Sequence, residues 1–176
     1  GGAMVLDSGT TLQVGGANNF PANYSTYTIN ANSTVEYNAA GEQTVSNLNG
    51  WPPYGHLVVS GSLTKTLAGE TRVGGTLTVT NATLAASNND LWVTGGWVSN
   101  GPFDPGTGTI HIDGAFAITG NTNPAFHHLV VEPGGDLTLS AGDTHISGNF
   151  TNWNNFVDGT GTLTFDSGGT QNLTLN

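Results

Sequence analysis

A strand-like phrase returns three times along this chain, and this repetition constrains the fold more than any other feature. The phrase reads Ser-Thr-Val-Glu-Tyr-Asn at 33–38, Gly-Thr-Ile-His-Ile-Asp at 108–113 and Gly-Thr-Leu-Thr-Phe-Asp at 161–166. A second phrase, Tyr-Gly-His-Leu-Val-Val at 54–59, returns as Phe-His-His-Leu-Val-Val at 126–131. One such repeat cannot bury its apolar face alone, so repeats stack on their neighbours. The repetition therefore predicts an elongated, stacked protein.

Alternating polar and apolar residues predict that the stacked elements are β-strands. Leu77 and Val79 alternate with threonines, and Leu163 and Phe165 do the same. A period of two places apolar side chains on one side of a strand and hydroxyls on the other. The apolar runs are short and separated by glycine-rich turns, which is typical of an all-β fold.

The spacing of the copies favours a parallel β-solenoid. Thr34 and Thr109 lie at the same place in two copies of the first phrase, and Tyr54 and Phe126 begin the two copies of the second phrase at nearly the same separation. A block of roughly 70 residues, covering about 34–100 and 109–176, is therefore duplicated, and each copy is long enough for about three coils. We predict one repetitive β-domain over 1–176 with about seven coils, either whole or as a segment of a longer array. An antiparallel β-sandwich is the alternative, because its strands have similar spacing.

Charge and composition exclude several classes of partner. The chain has two basic residues, Lys65 and Arg72, against 12 Asp and Glu, and its formal net charge is −10. Nucleic acids and anionic membrane surfaces are bound through clustered cations, so we expect neither partner. The sequence contains no apolar run long enough for a membrane-spanning helix, so no membrane insertion is expected. It contains no Cys, which excludes disulfides and thiolate chemistry.

The two ends of the sequence suggest how the chain is processed and assembled. It begins with Gly-Gly-Ala-Met, which resembles a processed or engineered start and carries no secretory signal. It closes on a strand-like stretch in which Leu173 and Leu175 alternate with polar residues, without a capping sequence. An unpaired strand edge is a template for pairing. We therefore expect further coils or another chain at this edge, with Leu173 and Leu175 as assembly residues and end-to-end self-association as the partner interaction.

A family resemblance supports this view. The stretch Gly-Thr-Gly-Thr-Leu-Thr-Phe-Asp-Ser-Gly-Gly-Thr-Gln at 159–171, with 33–38 and 43–45, resembles repeats of very large bacterial surface and secreted proteins. Such repeats are frequent in Bacteroidetes-type gliding and cell-surface adhesins. The resemblance covers most of 20–176 and includes the phrase at 54–61. It implies an extracellular, non-enzymatic, repetitive β-fold, and it brings no catalytic residues. From the stacked fold we predict a structural role at the cell surface, as a stalk, adhesin segment or filament subunit.

Aromatic residues in polar stretches raise carbohydrate binding as an alternative function. Trp51 and Tyr54 lie in a Trp-Pro-Pro-Tyr stretch, and Trp153 lies in Asn-Trp-Asn-Asn. These rings could stack on sugars while neighbouring amides bond to hydroxyl groups. The competing interpretation is that the rings seal the core or the coil ends. Trp51, Tyr54 and Trp153 are therefore the candidate ligand-binding residues of a carbohydrate-binding module.

Metal binding and catalysis have less support. A zinc site needs three or four converging ligands, whereas His56 and His128 occupy matching places in two copies of a phrase and are expected on different coils. Four aspartates that flank Gly-rich turns suit turn capping, and calcium remains the one cofactor alternative. They are Asp104, Asp113, Asp158 and Asp166. The sequence contains no nucleophile motif or recognisable pair of carboxylates, so we expect no enzymatic activity and no catalytic residue.

Thr-x-Thr sequences raise a further alternative, an ice-binding face. Rows of threonine hydroxyls could order water if they stacked on one flat side of the rod. Threonine is also simply favoured in strands, where its hydroxyl faces solvent. The Thr-x-Thr sequences occur at Thr26/Thr28, Thr64/Thr66, Thr76/Thr78/Thr80, Thr107/Thr109 and Thr160/Thr162/Thr164.

Overall fold

The fold is a parallel β-solenoid. The structure is a computed structural model that describes residues 1–16, 20–48 and 52–176, and within these ranges it contains 22 strands and no α-helix. Every strand pair in the described ranges is parallel. The predicted β-solenoid is therefore confirmed, and the antiparallel sandwich is wrong, because stacked coils bring strands of the same direction together.

The coils have three faces, which the chain visits in a constant order. Face 2 is one continuous eight-stranded sheet that runs the length of the rod. Its strands are β2 (Thr11–Val14), β4 (Thr34–Tyr37), β6 (His56–Val59), β9 (Thr76–Thr80), β12 (Gly96–Asn100), β15 (Ala115–Gly120), β17 (Asp136–Thr138) and β20 (Asn155–Val157).

Faces 1 and 3 are each divided into two sheets. Face 1 precedes face 2 in each coil and contains β1 (Ala3–Leu6), β3 (Thr26–Ile29), β8 (Thr71–Val73), β11 (Leu91–Val93), β14 (Thr109–Ile112), β16 (His128–Val131), β19 (Phe150–Asn152) and β22 (Leu173–Leu175). Face 3 follows face 2 and contains β5 (Gln43–Val45), β7 (Thr64–Leu67), β10 (Thr83–Ala85), β13 (Phe103–Asp104), β18 (Thr144–Ile146) and β21 (Leu163–Phe165). The divisions coincide with Tyr54 and Phe126, which form isolated bridges to Val73 and Ile146.

The rod has about eight coils, one more than predicted. Coil length varies along the rod, because the pair Leu12–Val35 near the N-terminal end encloses more of the chain than the pair Leu137–Phe156 near the C-terminal end. Eight strands at a spacing of about 4.8 Å make face 2 roughly 34 Å long.

Strand alternation builds the core. In β9 the odd-numbered Leu77 and Val79 point inward and are fully buried, while the threonines between them point outward. Val35, Leu57, Leu77 and Trp97 form an inward column along face 2, each at most 1% exposed. Burying one such side chain stabilises the fold by about 1.5–3 kcal/mol. The core is thus continuous from coil to coil.

The three copies of the first repeated phrase lie on three different faces. The copy at 33–38 forms β4 on face 2, the copy at 108–113 forms β14 on face 1, and the copy at 161–166 forms β21 on face 3. The second copy follows the first by about three and two-thirds coils along the chain. It therefore lies a third of a turn short of the face on which the first copy lies. The same phrase therefore fits each of the three faces.

Candidate functional site

The C-terminal end of the rod exposes strand edges and apolar side chains together. β20, β21 and β22 are the last strands of their sheets, so each has one edge without a strand partner among the described residues. Leu173 and Leu175 are 55% and 63% exposed, and Val157 and Phe165 are also exposed. The structure thus places the two predicted assembly residues on a terminal strand. This surface therefore presents the same kind of apolar side chain that lines the interior of the rod.

The N-terminal end presents a second, smaller surface of the same kind. β1 and β2 are the first strands of their sheets, and their inward residues Met4 and Leu12 pack on the core while staying partly exposed. Val5 points outward and is 57% exposed. Phe20 covers part of this end by packing on Tyr27 and Tyr37, with ring centroids 5.6 and 6.4 Å apart. Both ends of the rod therefore combine apolar residues with strand edges that have no strand partner in the part of the chain that the structure describes.

Tyr54 does not face solvent, so the prediction that it is a surface ligand-binding residue is wrong. It is 1% exposed, and its hydroxyl lies 3.1 Å from the Tyr37 hydroxyl and donates to the Ser46 carbonyl oxygen at 2.5 Å. The Ser46 N–H donates to the Tyr37 hydroxyl at 2.9 Å. Burial raises the pKa of both phenols. Tyr54 therefore closes the interior where face 1 is interrupted.

The three residues predicted to bind carbohydrate do not form one site. Trp51 lies outside the described residues, and Tyr54 belongs to the third coil. Trp153 belongs to the eighth coil, about 24 Å further along the rod at the usual strand spacing. Its side chain is on the surface, with the residue 42% exposed, and Asn152 and Asn154 flank it. Of the three, Trp153 is the one that the structure places at the surface.

An outward stack on face 1 was not recognised from the sequence. The Arg72 guanidinium lies 4.3 Å from the centre of the Trp92 ring, and the His111 ring lies parallel to that ring at 3.8 Å. The His111 Nδ1 is 2.7 Å from a Glu132 carboxylate oxygen. Side chains from successive coils meet here because 72, 92 and 111 are paired neighbours in the sheet. Trp92 therefore joins coils and offers neither ring face to a ligand.

The buried cation Lys65 bonds to the backbone at a corner of the rod. Its ammonium donates to the carbonyl oxygens of Ala39, Gly41 and Ser62 at 2.8, 2.5 and 2.8 Å. Lys65 is fully buried, and this burial lowers its pKa. All three ammonium hydrogens have acceptors, so the charge is accommodated by carbonyl dipoles.

Glutamine side chains bond in the same manner, Gln43 at the same corner one coil earlier and Gln171 at a different corner. Gln43 donates to the carbonyl oxygens of Val14 and Gly16, at 2.6 and 2.9 Å, in the coil before it. Gln171 donates to those of Ile146 and Gly148 at 2.7 and 2.6 Å. These side chains hold successive coils in register.

The histidines are distributed over the rod, as expected from their places in the repeats. Within the described residues, no group of three or more His, Asp or Glu side chains is arranged to hold a metal ion. His56 and His128 lie on the third and seventh coils, where each Nδ1 accepts a backbone hydrogen bond from the following coil. Asp104 caps its turn by accepting a hydrogen bond from the Gly106 N–H at 3.0 Å. The turn-capping role predicted for Asp104 is therefore confirmed.

The Thr-x-Thr sequences do not stack into rows. Thr26 and Thr28 lie on β3 of face 1, Thr64 and Thr66 on β7 of face 3, and the longest series on β9 of face 2. In that series Thr78 is paired with Val58 of β6 and Val98 of β12, and Thr80 is paired with Asn100. These strands therefore do not supply the regular array of hydroxyls that an ice-binding face requires.

No protein-family model, curated protein or solved structure matches this chain. Among the described residues, no helix has the length and hydrophobicity needed to cross a bilayer.

Proposed function

We propose that this chain is an extracellular structural protein, a stiff β-solenoid segment of a surface stalk or adhesin that stacks end to end. The observation that carries the proposal is an uninterrupted eight-stranded sheet together with apolar edge strands at both ends of the rod that have no strand partner within residues 1–16, 20–48 and 52–176. The resemblance of 159–171 to repeats of bacterial surface proteins accounts for the assignment to the cell exterior. The role is mechanical, and no catalytic chemistry is assigned.

Stiffness follows from the way the coils are joined. Each inner strand of face 2 is hydrogen-bonded to the coils before and after it, so bending the rod would strain many parallel pairs at once. Corner side chains such as Gln43 and Lys65 add hydrogen bonds between coils. Outward-facing threonine, serine and asparagine side chains keep the surface polar although it carries few charges, so long assemblies stay hydrated.

The proposed stacking of one rod on another follows from the strand edges and apolar side chains at the ends of the rod. An unpaired parallel strand recruits another strand because its N–H and C=O groups lack partners. The exposed Leu173 and Leu175 would be buried by a further coil, which adds hydrophobic stabilisation. The purified 176-residue chain should form rods longer than one molecule at high concentration, visible by negative-stain electron microscopy and as a rising mass in light scattering.

The test is a double substitution, Leu173→Asp with Leu175→Asp, which places two carboxylates on the terminal strand. We expect it to abolish the long rods while the β-sheet circular dichroism spectrum is kept. The matched control is Leu63→Asp, because Leu63 is 60% exposed but lies in the turn between β6 and β7 of the third coil, away from the terminal strands. Rods that persist in the double variant, or a wild-type chain that stays monomeric at high concentration, would contradict the proposal.

Carbohydrate binding is the second candidate function, and the exposure of Trp153 favours it. Its ring lies at a corner of the rod, with amide side chains beside it in the sequence. Binding should appear as quenching of tryptophan fluorescence on titration with oligosaccharides from a glycan array. Trp153→Ala should remove the signal, whereas Tyr24→Ala, at an aromatic residue 40% exposed at the other end, should keep it. An array without hits would count against this candidate.

A further inference from the structure

The strand edges at the two ends differ in level around the rod, and this difference determines how two copies fit together. At the C-terminal end, face 1 ends with β22, which lies one coil above β20 on face 2 and β21 on face 3. At the N-terminal end the first strand, β1, lies on face 1, and β2 follows on face 2. The end of the rod is therefore a step, one strand high, between face 1 and the other two faces.

Stacking without rotation leaves a gap. If β1 of a second copy paired with β22 on face 1, β2 of that copy would lie two strand spacings above β20 on face 2. The level between them is filled by β22 on face 1 but by no strand on face 2. The missing strand would leave an opening of about 4.8 Å on faces 2 and 3, with unpaired backbone groups inside it. Such a joint would bury polar groups without partners.

We infer that two copies of this chain stack head to tail with a rotation of one third of a turn, so that β1 of one copy pairs with β20 of the other and β2 pairs with β21. This inference rests on the proposed end-to-end stacking and specifies its geometry. After this rotation β1 lies directly over β20 and β2 lies directly over β21, so neither strand is separated from its partner by an empty level. The third edge, β22, lies beside this joint, and no described strand of the second copy pairs with it.

The internal repeats show that such a rotation is compatible with the coil. The same phrase forms β4 on face 2, β14 on face 1 and β21 on face 3, so a strand suited to one face fits the others. The chain already makes this displacement inside one molecule each time the phrase returns. A joint between molecules repeats that displacement.

The side chains at the joint are complementary in this register. β1 carries Met4 inward and Val5 outward, and β20 carries Phe156 inward and Val157 outward. Pairing Met4 with Phe156 continues the core column, and it brings Val5 beside Val157. These two valines are 57% and 42% exposed in the single rod, and each would cover the other in the joint.

The second strand pair continues the core as well. β2 carries Leu12 and Val14 inward, and β21 carries Leu163 and Phe165 on the side that faces the core. Leu12 then lies over Leu163 and Val14 over Phe165. Both strand pairs thus match apolar residues with apolar residues, in the parallel sense found throughout the rod.

Engineered cysteines test the rotation, since the chain has no Cys of its own. Neighbouring strands are about 4.8 Å apart, within the Cα separation that a disulfide spans. Val5→Cys combined with Val157→Cys should give, on mild oxidation with oxidised glutathione, a ladder of covalent oligomers on non-reducing gels. Within one molecule the two positions lie at opposite ends of the rod, so a disulfide between them joins two copies. Both residues are exposed, so the substitutions should not disturb folding.

The control pair is Val5→Cys with Thr174→Cys, which would be adjacent in a stack without rotation. It should give no ladder, and neither Val5→Cys nor Val157→Cys alone should give a dimer. A ladder from the control pair would overturn the rotation, and a dimer from Val157→Cys alone would overturn it by showing that C-terminal ends meet each other. Long wild-type rods together with no Val5–Val157 ladder would refute the joint while leaving end-to-end stacking intact. Absence of wild-type rods would refute the stacking itself.

Discussion

The two duplicated blocks keep the same contacts between coils although they lie on different faces. In the first block the His56 Nδ1 accepts a hydrogen bond from the Thr76 N–H at 2.9 Å, and in the second His128 accepts one from Asn149 at 2.8 Å. Each contact reaches from one coil to the next. The repeated phrase therefore makes the same hydrogen bond to the next coil in both blocks. The face on which each copy lies depends instead on the summed length of the coils before it.

The blocks differ where a corresponding interior position has a different chemistry. Tyr54 in the first copy of the second phrase corresponds to Phe126 in the second copy. At the same offset along the chain, Lys65 in Thr-Lys-Thr-Leu corresponds to Leu137 in Asp-Leu-Thr-Leu, and both are fully buried. At these two positions the first block thus bonds to backbone carbonyl oxygens through interior polar groups, while the second block has apolar side chains. The comparison indicates that a coil accommodates a polar or an apolar interior side chain only when the surrounding backbone groups suit that side chain.

Leu137→Lys should have the largest effect, because it places an ammonium between Phe116 and Phe156, its apolar neighbours in the sheet. An unpaired buried charge costs several kcal/mol, so we expect a loss of about 4 kcal/mol in the free energy of unfolding. Urea denaturation followed by circular dichroism measures it. Thr138→Lys, at the adjacent outward position, is the control and should change stability little. A small loss at 137 would mean that the two interiors are interchangeable.

Lys65→Leu makes the opposite exchange. It leaves the carbonyl oxygens of Ala39, Gly41 and Ser62 without the ammonium that bonds to them. We expect a loss of about 3 kcal/mol, measured by the same denaturation. Lys65→Gln should recover part of it, since Gln43 makes equivalent bonds one coil earlier. Equal stability of the leucine and glutamine variants would argue against a role for these hydrogen bonds.

Tyr54→Phe makes the first block resemble the second at the interrupted face. It removes the hydroxyl that bonds to Tyr37 and to the Ser46 carbonyl oxygen, so two buried polar groups lose a partner. We expect a loss of about 2 kcal/mol in thermal or urea unfolding. Tyr24→Phe, at an exposed ring, serves as the reference and should be neutral. An unchanged stability at 54 would indicate that water replaces the lost hydroxyl.

Trp92→Ala tests the junction between the blocks, since Arg72 and Trp92 belong to the first block and His111 to the second. The loss of the stack should cost about 1–2 kcal/mol beyond the effect of Trp153→Ala at a more exposed ring. Differential scanning calorimetry of both variants gives the comparison. Equal melting temperatures would show that the stack contributes nothing to the junction.

His128 should make a smaller, pH-dependent contribution. Its burial first, and then the neighbouring His127, lower the pKa of the imidazole, so folding favours the neutral ring. The stability is therefore full above the ordinary histidine pKa of about 6.5 and is lost as pH falls below it towards the folded-state pKa. His128→Gln should flatten stability between about pH 7 and pH 5. A pH slope that stays the same in His128→Gln would contradict this assignment.

The sequence was sufficient for the class of fold and for the kind of residue on each side of a strand. Alternation around Leu77 and Leu163, with a phrase returning at 34 and 109, pointed to stacked parallel coils. It was insufficient for the candidate site, because the Trp-Pro-Pro-Tyr stretch has no alternation to show which way Tyr54 points. The Arg72–Trp92–His111 stack was missed for another reason: its members become neighbours only when the coil length is known to within one residue.

What the sequence by itself determined is therefore local and periodic: short strands, an apolar interior, a hydroxyl-rich exterior and repetition too long for a single coil. The tertiary structure alone decided the face on which each copy of the phrase lies and which residues of successive coils touch. Coils differ in length, as the pairs Leu12–Val35 and Leu137–Phe156 show, yet the strands of both pairs stay in register on face 2 because the turns take up the difference. A given separation along the chain therefore does not by itself tell on which face a copy lies. Position around the rod is a sum over all preceding turns, and no single segment of sequence contains it.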